Sequence, residues 1–342
     1  MNINVKAGLV IFITIVFTTF VFYGYQVMFS PNILLDKQDD FLYIPTGATF
    51  ENVKDSLEKR EVLHDKLSFL FLSKLSGYIK KVKPGRYLLQ SGDNNWNTIK
   101  KLYAGRQDAV KLTFNNIRLK SEFAERVSSK FEFSKDQLLS LMENNDYLQG
   151  FGLDTSKAMC LFIPNTYEIY WNITAQDFMD KMNQENDKFW TEVRKEQAKA
   201  LGLTQSQVYI IASIVEQETQ NQAEKSSVAG VYLNRFNKGM KLQADPTVKF
   251  ALGDFTIKRI YQGHLSINSP YNTYMYGGLP PGPICLPSIK TLDATLAAEP
   301  HEYYFFCADV DRPGCHKFTK TFGEHLNVAN TYRKDLNRKK IR

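Results

Sequence analysis

The chain has 342 residues, of which 43% are hydrophobic and 23% charged, so it exceeds one small core and is too apolar for a disordered tail. Its formal net charge of +7 suits an anionic partner such as nucleic acid, anionic lipid or an acidic polysaccharide. It carries no zinc finger, RNA-binding signature or basic helix with base-reading spacing, which argues against nucleic acid.

Residues 7–29 hold no charged side chain, and about 20 apolar helical residues span a bilayer. Tyr23 and Tyr25 fit an interfacial aromatic belt. Lys6 precedes the stretch while Asp36, Asp39 and Asp40 follow it. The positive-inside rule then puts residues 1–6 in the cytoplasm and the bulk of the chain outside. No small-residue cleavage site follows the apolar run, so it reads as a retained anchor rather than a signal peptide.

Residues 30–40 read as a linker, and residues 41–108 as a compact α+β module. FLYIPTG gives a strand and turn. ENVKDSLEKREVL gives an amphipathic helix with Val53, Leu57 and Val62 inward. KLSFLFLSKLSG gives a second helix ending at Gly77. KPGRYLLQSGDNNWNTIKKLYAG adds turn, strand, turn and helix. This strand–helix–helix–strand rhythm resembles a LysM-like glycan-binding unit. Residues 109–342 form a mixed α+β domain, beginning with a strand near Val110. Cys307 and Cys315 flank a turn over residues 309–314, which would let a disulfide cross a hairpin in an oxidising compartment. The basic run Arg333, Lys334, Arg338, Lys339, Lys340 and Arg342 reads as a solvated tail.

The chemistry gathers after residue 200. Thr204 with Gln207 three residues on is a capping-box signature and predicts a helix over residues 205–219. At about 100° per residue, Val208, Ile211, Ala212, Ile214 and Val215 share one apolar arc. Glu218 falls inside that arc, Glu216 near its opposite margin, and Gln217 outside it. A carboxyl among isoleucines is costly to ionise, so its pKa rises. That is what a general acid needs near neutral pH. A structural carboxylate paired with an arginine such as Arg235 fits this helix equally well. A second helix, SSVAGVYLNRFNKGMKL, stops near Gly239. Asn234, Arg235, Gln243, Asp245, Thr247, Tyr271, Asn272, Thr273 and Tyr274 follow in quick succession and suit hydrogen bonding to, or stacking on, sugars. GGLPPGP is a stiff loop by composition.

IASIVEQET, VYLNRF, LQADPTV, SPYNTY and GGLPPGPI, in this order and spacing, resemble the signatures of the endolytic transglycosylase MltG (YceG-like) family. The resemblance runs from the anchor through the LysM-like module to HKFTKTFGEH. LFIPNTYEIY also fits, although Asn165 stands where the family usually has an acidic residue. The resemblance implies cleavage of the β-1,4 bond between MurNAc and GlcNAc in nascent peptidoglycan strands, leaving 1,6-anhydroMurNAc ends. It assigns the catalytic role to the second Glu of E-x-E-T, which is Glu218, with Glu216 as the fallback. It also implies no metal or cofactor, a place in the bacterial inner membrane, and peptidoglycan synthases as partners.

No GxSxG, HExxH, Walker or dinucleotide glycine pattern occurs. Two other functions stay open. One is a hydrolytic muramidase, which would leave a reducing MurNAc end. The other is a non-catalytic wall-binding anchor of a synthesis complex.

Overall fold

The structure, a computed structural model, describes residues 3–35, 39–257 and 259–338. Asp36 of the linker, and Lys339, Lys340 and Arg342 of the basic tail, lie outside the described residues. The chain divides into two compact units with a boundary between Lys111 and Leu112. Residues 130–132 and 168–173 return to the first unit. Both units mix helix and strand, as the α+β reading expects.

In the first unit the apolar stretch becomes one helix, α1 (Ile3–Phe29), roughly 40 Å long at 1.5 Å per residue. Within Val5–Phe29 an 18-residue window reaches a mean hydropathy of 2.3, and the side chains from Val5 to Tyr23 are all exposed. Such a helix is long and apolar enough to cross a membrane. Strand β1 (Asp39–Ile44), helices α2 (Phe50–Lys59) and α3 (Lys66–Leu75), strand β2 (Gly85–Gln90) and helix α4 (Asn95–Ala104) follow. This is the expected strand–helix–helix–strand order. β1 and β2 pair antiparallel, from Asp39 opposite Gln90 to Ile44 opposite Gly85. Thr49, Asp65 and Asn94 cap the three helices through their side-chain oxygens. Val53 and Leu57 point into the core with Phe69, Leu72, Tyr87 and Ile99. Val62 is buried too, but lies beyond the end of α2 rather than on it.

Residues 30–35 do more than link. Ile33 is fully buried. Asn32 accepts a backbone bond from His64 and bonds through its side chain to Asp65 and Asn95. Pro31 bridges to Asn94 and Ile33 to Leu63. Asn95 also donates to the carbonyl of Val27, 2.9 Å away, in the last turns of α1. The exit of α1 is therefore stitched to the starts of α3 and α4.

Strand β3 (Val110–Thr113) pairs with β4 (Thr166–Ile169). The second unit contains α5 (Lys120–Ser128), α6 (Lys135–Met142), α7 (Asn145–Gln149), α8 (Ala175–Phe189) and α9 (Glu192–Ala200). They are followed by α10 (Gln205–Glu218), α11 (Lys225–Asn237), α12 (Asp245–Leu252) and α13 (Ile289–Leu296). A hairpin of β5 (Phe305–Ala308) and β6 (His316–Thr319) and a last helix, α14 (Phe322–Arg338), end the described chain. The capping box of Thr204 and Gln207 forms as expected. α10 packs against α9, α11, α12 and α13, and every side chain from Val208 to Val215 is buried. The apolar arc of the sequence reading understates this burial, because polar neighbours are buried with their bonds made. Tyr209 donates to the Phe162 carbonyl at 2.6 Å. Ser213 donates to Ile210 at 2.7 Å and accepts from the Ile284 amide at 3.1 Å.

Two sequence expectations change here. The hairpin turn over residues 309–314 is present, but its register sets Cys307 opposite Lys317, and Cys315 instead bonds through its carbonyl to Asp309. Both cysteines are free thiols. Arg333, Lys334 and Arg338 belong to α14 rather than to a loose tail, and Arg338 pairs with the buried Asp335 at 2.7 Å.

Gly282 of the GGLPPGP loop sits against the chain at Ser156. A Cβ there would lie 1.9 Å from the Ser156 carbonyl oxygen and 2.7 Å from its carbon. Gly282→Ala is expected to lower stability by roughly 1–3 kcal/mol, as overpacking does. An unchanged thermal melt would show that the loop gives way freely.

Candidate active site

Glu218 is the last residue of α10. The helix's carbonyl end disfavours a negative charge there. Its carboxyl lines a cleft of about 480 Å³ in the second unit, a volume within the usual range for ligand sites. The Tyr232 hydroxyl donates to Glu218 Oε1 at 2.5 Å. Burial pushes the Glu218 pKa up to about 7; the Tyr232 bond opposes the rise and the charge of Asp245 adds to it. Glu218 therefore exchanges its proton near neutral pH.

Each wall comes from a separate element. α11 supplies Tyr232 and Arg235, and the segment entering α12 supplies Gln243 and Asp245. Tyr274 reaches in and donates to Asp245 at 2.6 Å, fixing that carboxylate. Gln243 takes a positive φ of 52°. Its amide donates to the Thr273 carbonyl, and its side-chain oxygen accepts from Arg235 at 3.2 Å. Arg235 directs its other bonds at the carbonyls of Tyr304, Lys241 and Leu242. Among the described residues it forms no ion pair with Glu218, so the structural pairing left open by the sequence is not the one found. Tyr304, Phe305, Phe306 and Phe322 give the cleft an aromatic part, with Phe306 packed on Tyr232 and Phe305 beneath Arg235.

Four of the nine expected binding residues thus line the cleft with Glu218: Arg235, Gln243, Asp245 and Tyr274. The other five are placed in its support. Thr247 and Thr273 are buried and bonded to each other at 2.9 Å, and Thr273 also receives the Ala244 amide. These bonds clamp the LQADPTV segment to the SPYNTY segment. Asn272 is fully buried and ties the carbonyls of Leu265 and Ile267. Tyr271 packs its ring on Phe250 at 4.7 Å. Asn234 donates to the carbonyls of His301 and Tyr303. Asn165 accepts from the Thr166 amide and lies outside the cleft.

Glu216 does not line the cleft. It accepts from Lys225 at 3.1 Å, from the amide and hydroxyl of Ser288 at 3.2 and 3.0 Å, and from the Thr291 hydroxyl. Burial alone would raise its pKa, but the bonds from Thr291, Lys225 and Ser288 outweigh it and hold the carboxyl below its usual range. Gln217, expected to point out, bonds to Arg118 at 2.7 Å and Asn116 at 2.6 Å.

Tyr232, His316, His325 and the aromatic part of the cleft are not among the site residues expected from the sequence. The run EYYFF over residues 302–306 is the signal that pointed to the aromatic part. His316 lines the cleft with Nδ1 against Glu224 at 2.9 Å. His325 stacks on Phe305 with centroids 5.3 Å apart. Burial lowers its pKa, with Arg235 and Arg333 adding to the effect. Among the described residues no three His, Cys, Asp or Glu side chains are grouped to share a metal ion.

Comparison with known proteins places the chain as a whole. The profile of the YceG-like family matches residues 42–331. An endolytic murein transglycosylase of Bacillus subtilis (strain 168) is 26% identical over 311 residues, covering 86% of this chain and 85% of the relative. One from Streptococcus pneumoniae (strain ATCC BAA-255 / R6) is 25% identical over 349 residues, covering 92% of this chain but 63% of that longer relative. The crystal structure of a YceG-like protein from Listeria monocytogenes superposes with a TM-score of 0.56 at 25% identity, covering 86% of this chain and all of that one.

Proposed function

The chain belongs to the YceG-like family, and from that premise and the cleft we propose that it is an endolytic lytic transglycosylase of peptidoglycan with Glu218 as its acid and base. The observation that carries the reading is a carboxyl whose pKa burial pushes up to about 7, in a cleft that also holds aromatic side chains suited to sugar faces. Protonated Glu218 gives its proton to the glycosidic oxygen between MurNAc and GlcNAc. The bond to C1 breaks with its electron pair passing to that oxygen. The MurNAc acetamido oxygen supports C1 from the opposite face, in place of a second carboxylate. Ionised Glu218 then takes the proton of the MurNAc 6-hydroxyl, whose oxygen attacks C1 and closes the anhydro ring. Asp245, fixed by Tyr274, is suited to accept the acetamido N–H and turn its carbonyl towards C1. No water is consumed and Glu218 ends protonated as it began.

In this reading α1 crosses the bacterial inner membrane once, with the N-terminus in the cytoplasm and the chain beyond α1 outside. The enzyme would cut nascent strands where they emerge, ending their elongation beside peptidoglycan synthases. Residues 41–108 would serve as the LysM-like module holding the strand.

Mass spectrometry of products from the full chain and uncrosslinked strands tests the reaction. Anhydro ends are lighter than reducing ends by one water. Reducing ends would favour the muramidase, for which Asp245 in the same cleft offers a second carboxylate to activate water. No product at all would favour the non-catalytic anchor.

Tyr232 gives a further expectation. Its hydroxyl favours ionised Glu218, so Tyr232→Phe raises the Glu218 pKa. The alkaline limb of kcat/KM, set near pH 7 by loss of the acid, moves upward. The rate at the optimum falls about tenfold for the lost bond to a charged group. A pH profile that does not move would remove Tyr232 from the mechanism.

A further inference from the structure

We propose that the outer face of α3 rests in the headgroup region of the bilayer, so that the first unit lies on the membrane surface. This rests on the reading of α1 as a membrane span.

The argument starts from an inverted pattern. α3 reads KLSFLFLSKL, and its inner face includes two serines, Ser68 and Ser73, with Phe69 and Leu72. Its outer face carries Leu67, Phe71 and Leu75, which are 78%, 60% and 70% exposed. They stand four residues apart and so form one stripe of about 12 Å along the helix. A water-facing helix places its serines outward and its leucines inward. This helix buries two serines beside Phe69 and Leu72 and leaves three large apolar side chains outward, and Ser68 has a buried partner in Asn95, 2.8 Å away. The stripe is far too short to span a bilayer but suits a helix lying in its surface.

What covers the stripe follows from its place in the fold. α3 begins where α1 ends, because Asn32 bonds to Asp65 at the cap of α3. Asn95 holds the last turns of α1 through the Val27 carbonyl, and Val27 and Met28 pack into the same core as Phe69 and Leu72. No free tether separates the membrane helix from α3, so the apolar medium that α1 requires lies beside it. Leu34 in the exit segment and Trp96 in the first turn of α4 are exposed apolar side chains from the same neighbourhood. Trp favours the interfacial level. Lys74 flanks the stripe and Lys66 is exposed at the start of α3. Their stems lie along apolar surface while their ammonium groups reach anionic headgroups.

The test uses the full chain in vesicles of phosphatidylcholine and phosphatidylglycerol, some with brominated acyl chains. Phe71→Trp adds a reporter at an exposed position, and Leu75→Trp is a second one. Lys59→Trp on α2, also exposed, is the control, and the signal of the native tryptophans is subtracted from each. The expected result is that the emission added at position 71 is blue-shifted and mostly quenched by bromolipid. The emission added at position 59 is quenched by aqueous acrylamide instead. Emission at 71 open to acrylamide and indifferent to bromolipid overturns the proposal. Emission shielded from both would mean that a second copy or another protein covers the stripe, which overturns it equally. Extraction of the same vesicles with alkaline carbonate separates the two readings. A chain that washes off has lost the anchor reading, whereas a chain that stays with an unquenched reporter has lost only the role of α3.

Discussion

Glu218→Gln is expected to abolish strand cleavage and leave the fold intact. Glutamine keeps the shape and the Tyr232 contact but can neither give nor take the proton, so both steps fail. A general acid or base contributes roughly 10²–10⁴-fold, and loss of one group serving as both should fall at or beyond the upper end. Stability carries a second signature. Burial holds the Glu218 pKa at about 7 in the native state against the ordinary glutamate value of 4.5, so between these limits the folded chain binds the extra proton. The native state gains from this group below about pH 4.5 and loses the gain as pH rises through about 7, by up to about 3 kcal/mol. Glu218→Gln removes that loss. Its melting temperature should match wild type near pH 4.5 and exceed it near pH 8. Full cleavage by the variant would end the assignment; melts that differ equally at both pH values would deny the buried proton.

Glu216→Gln should do the opposite: cost much stability and spare the chemistry. Glu216 and Lys225 form a buried pair with side chains 13% and 5% exposed. Removing the carboxylate strands the lysine charge beside Thr291. Breaking such a pair from one side costs about 3–5 kcal/mol. The contribution of Glu216 is fully present above its unfolded pKa and is lost as pH falls through its lower folded value, because its native bonds favour the ionised form. Urea melts should show a large drop in midpoint, and Lys225→Met should reproduce it. Cleavage per folded molecule should persist. An unchanged midpoint with lost cleavage would move Glu216 into the reaction. The two glutamates of one short motif thus separate cleanly, one by activity and the other by stability.

Much of this was legible in the sequence, and the boundary has a physical cause. Periodicity is local, so the α10 capping box, the stop of α11 near Gly239 and the order of β1, α2, α3 and β2 could be read directly. Glu218 stood out because a carboxylate in an apolar arc is locally anomalous. The cleft wall was harder to read, because Glu218, Asp245 and Phe305 meet only through tertiary packing. Residue type could not separate Asp245, which faces the cleft, from Thr247, which clamps two segments behind it. Gln217 failed for a related reason: a helical wheel assigns a direction but cannot see that Arg118 and Asn116 wait there. The inverted face of α3 was visible as letters, yet only side-chain exposure shows which face is which.

The buried stretch of α10 gives the reactive carboxyl an unusual dependence. Ile214 lies one turn before Glu218 and is fully buried. The acidity of the carboxyl is thus set by how completely the packed interior keeps water from it, more than by any neighbouring charge. A truncation at Ile214 that admits solvent would make Glu218 a stronger acid, and the optimum would drift to lower pH without any change in the groups that touch the glycan. With Glu218 as the proposed acid and base, the tightness of the interior is expected to set the working pH.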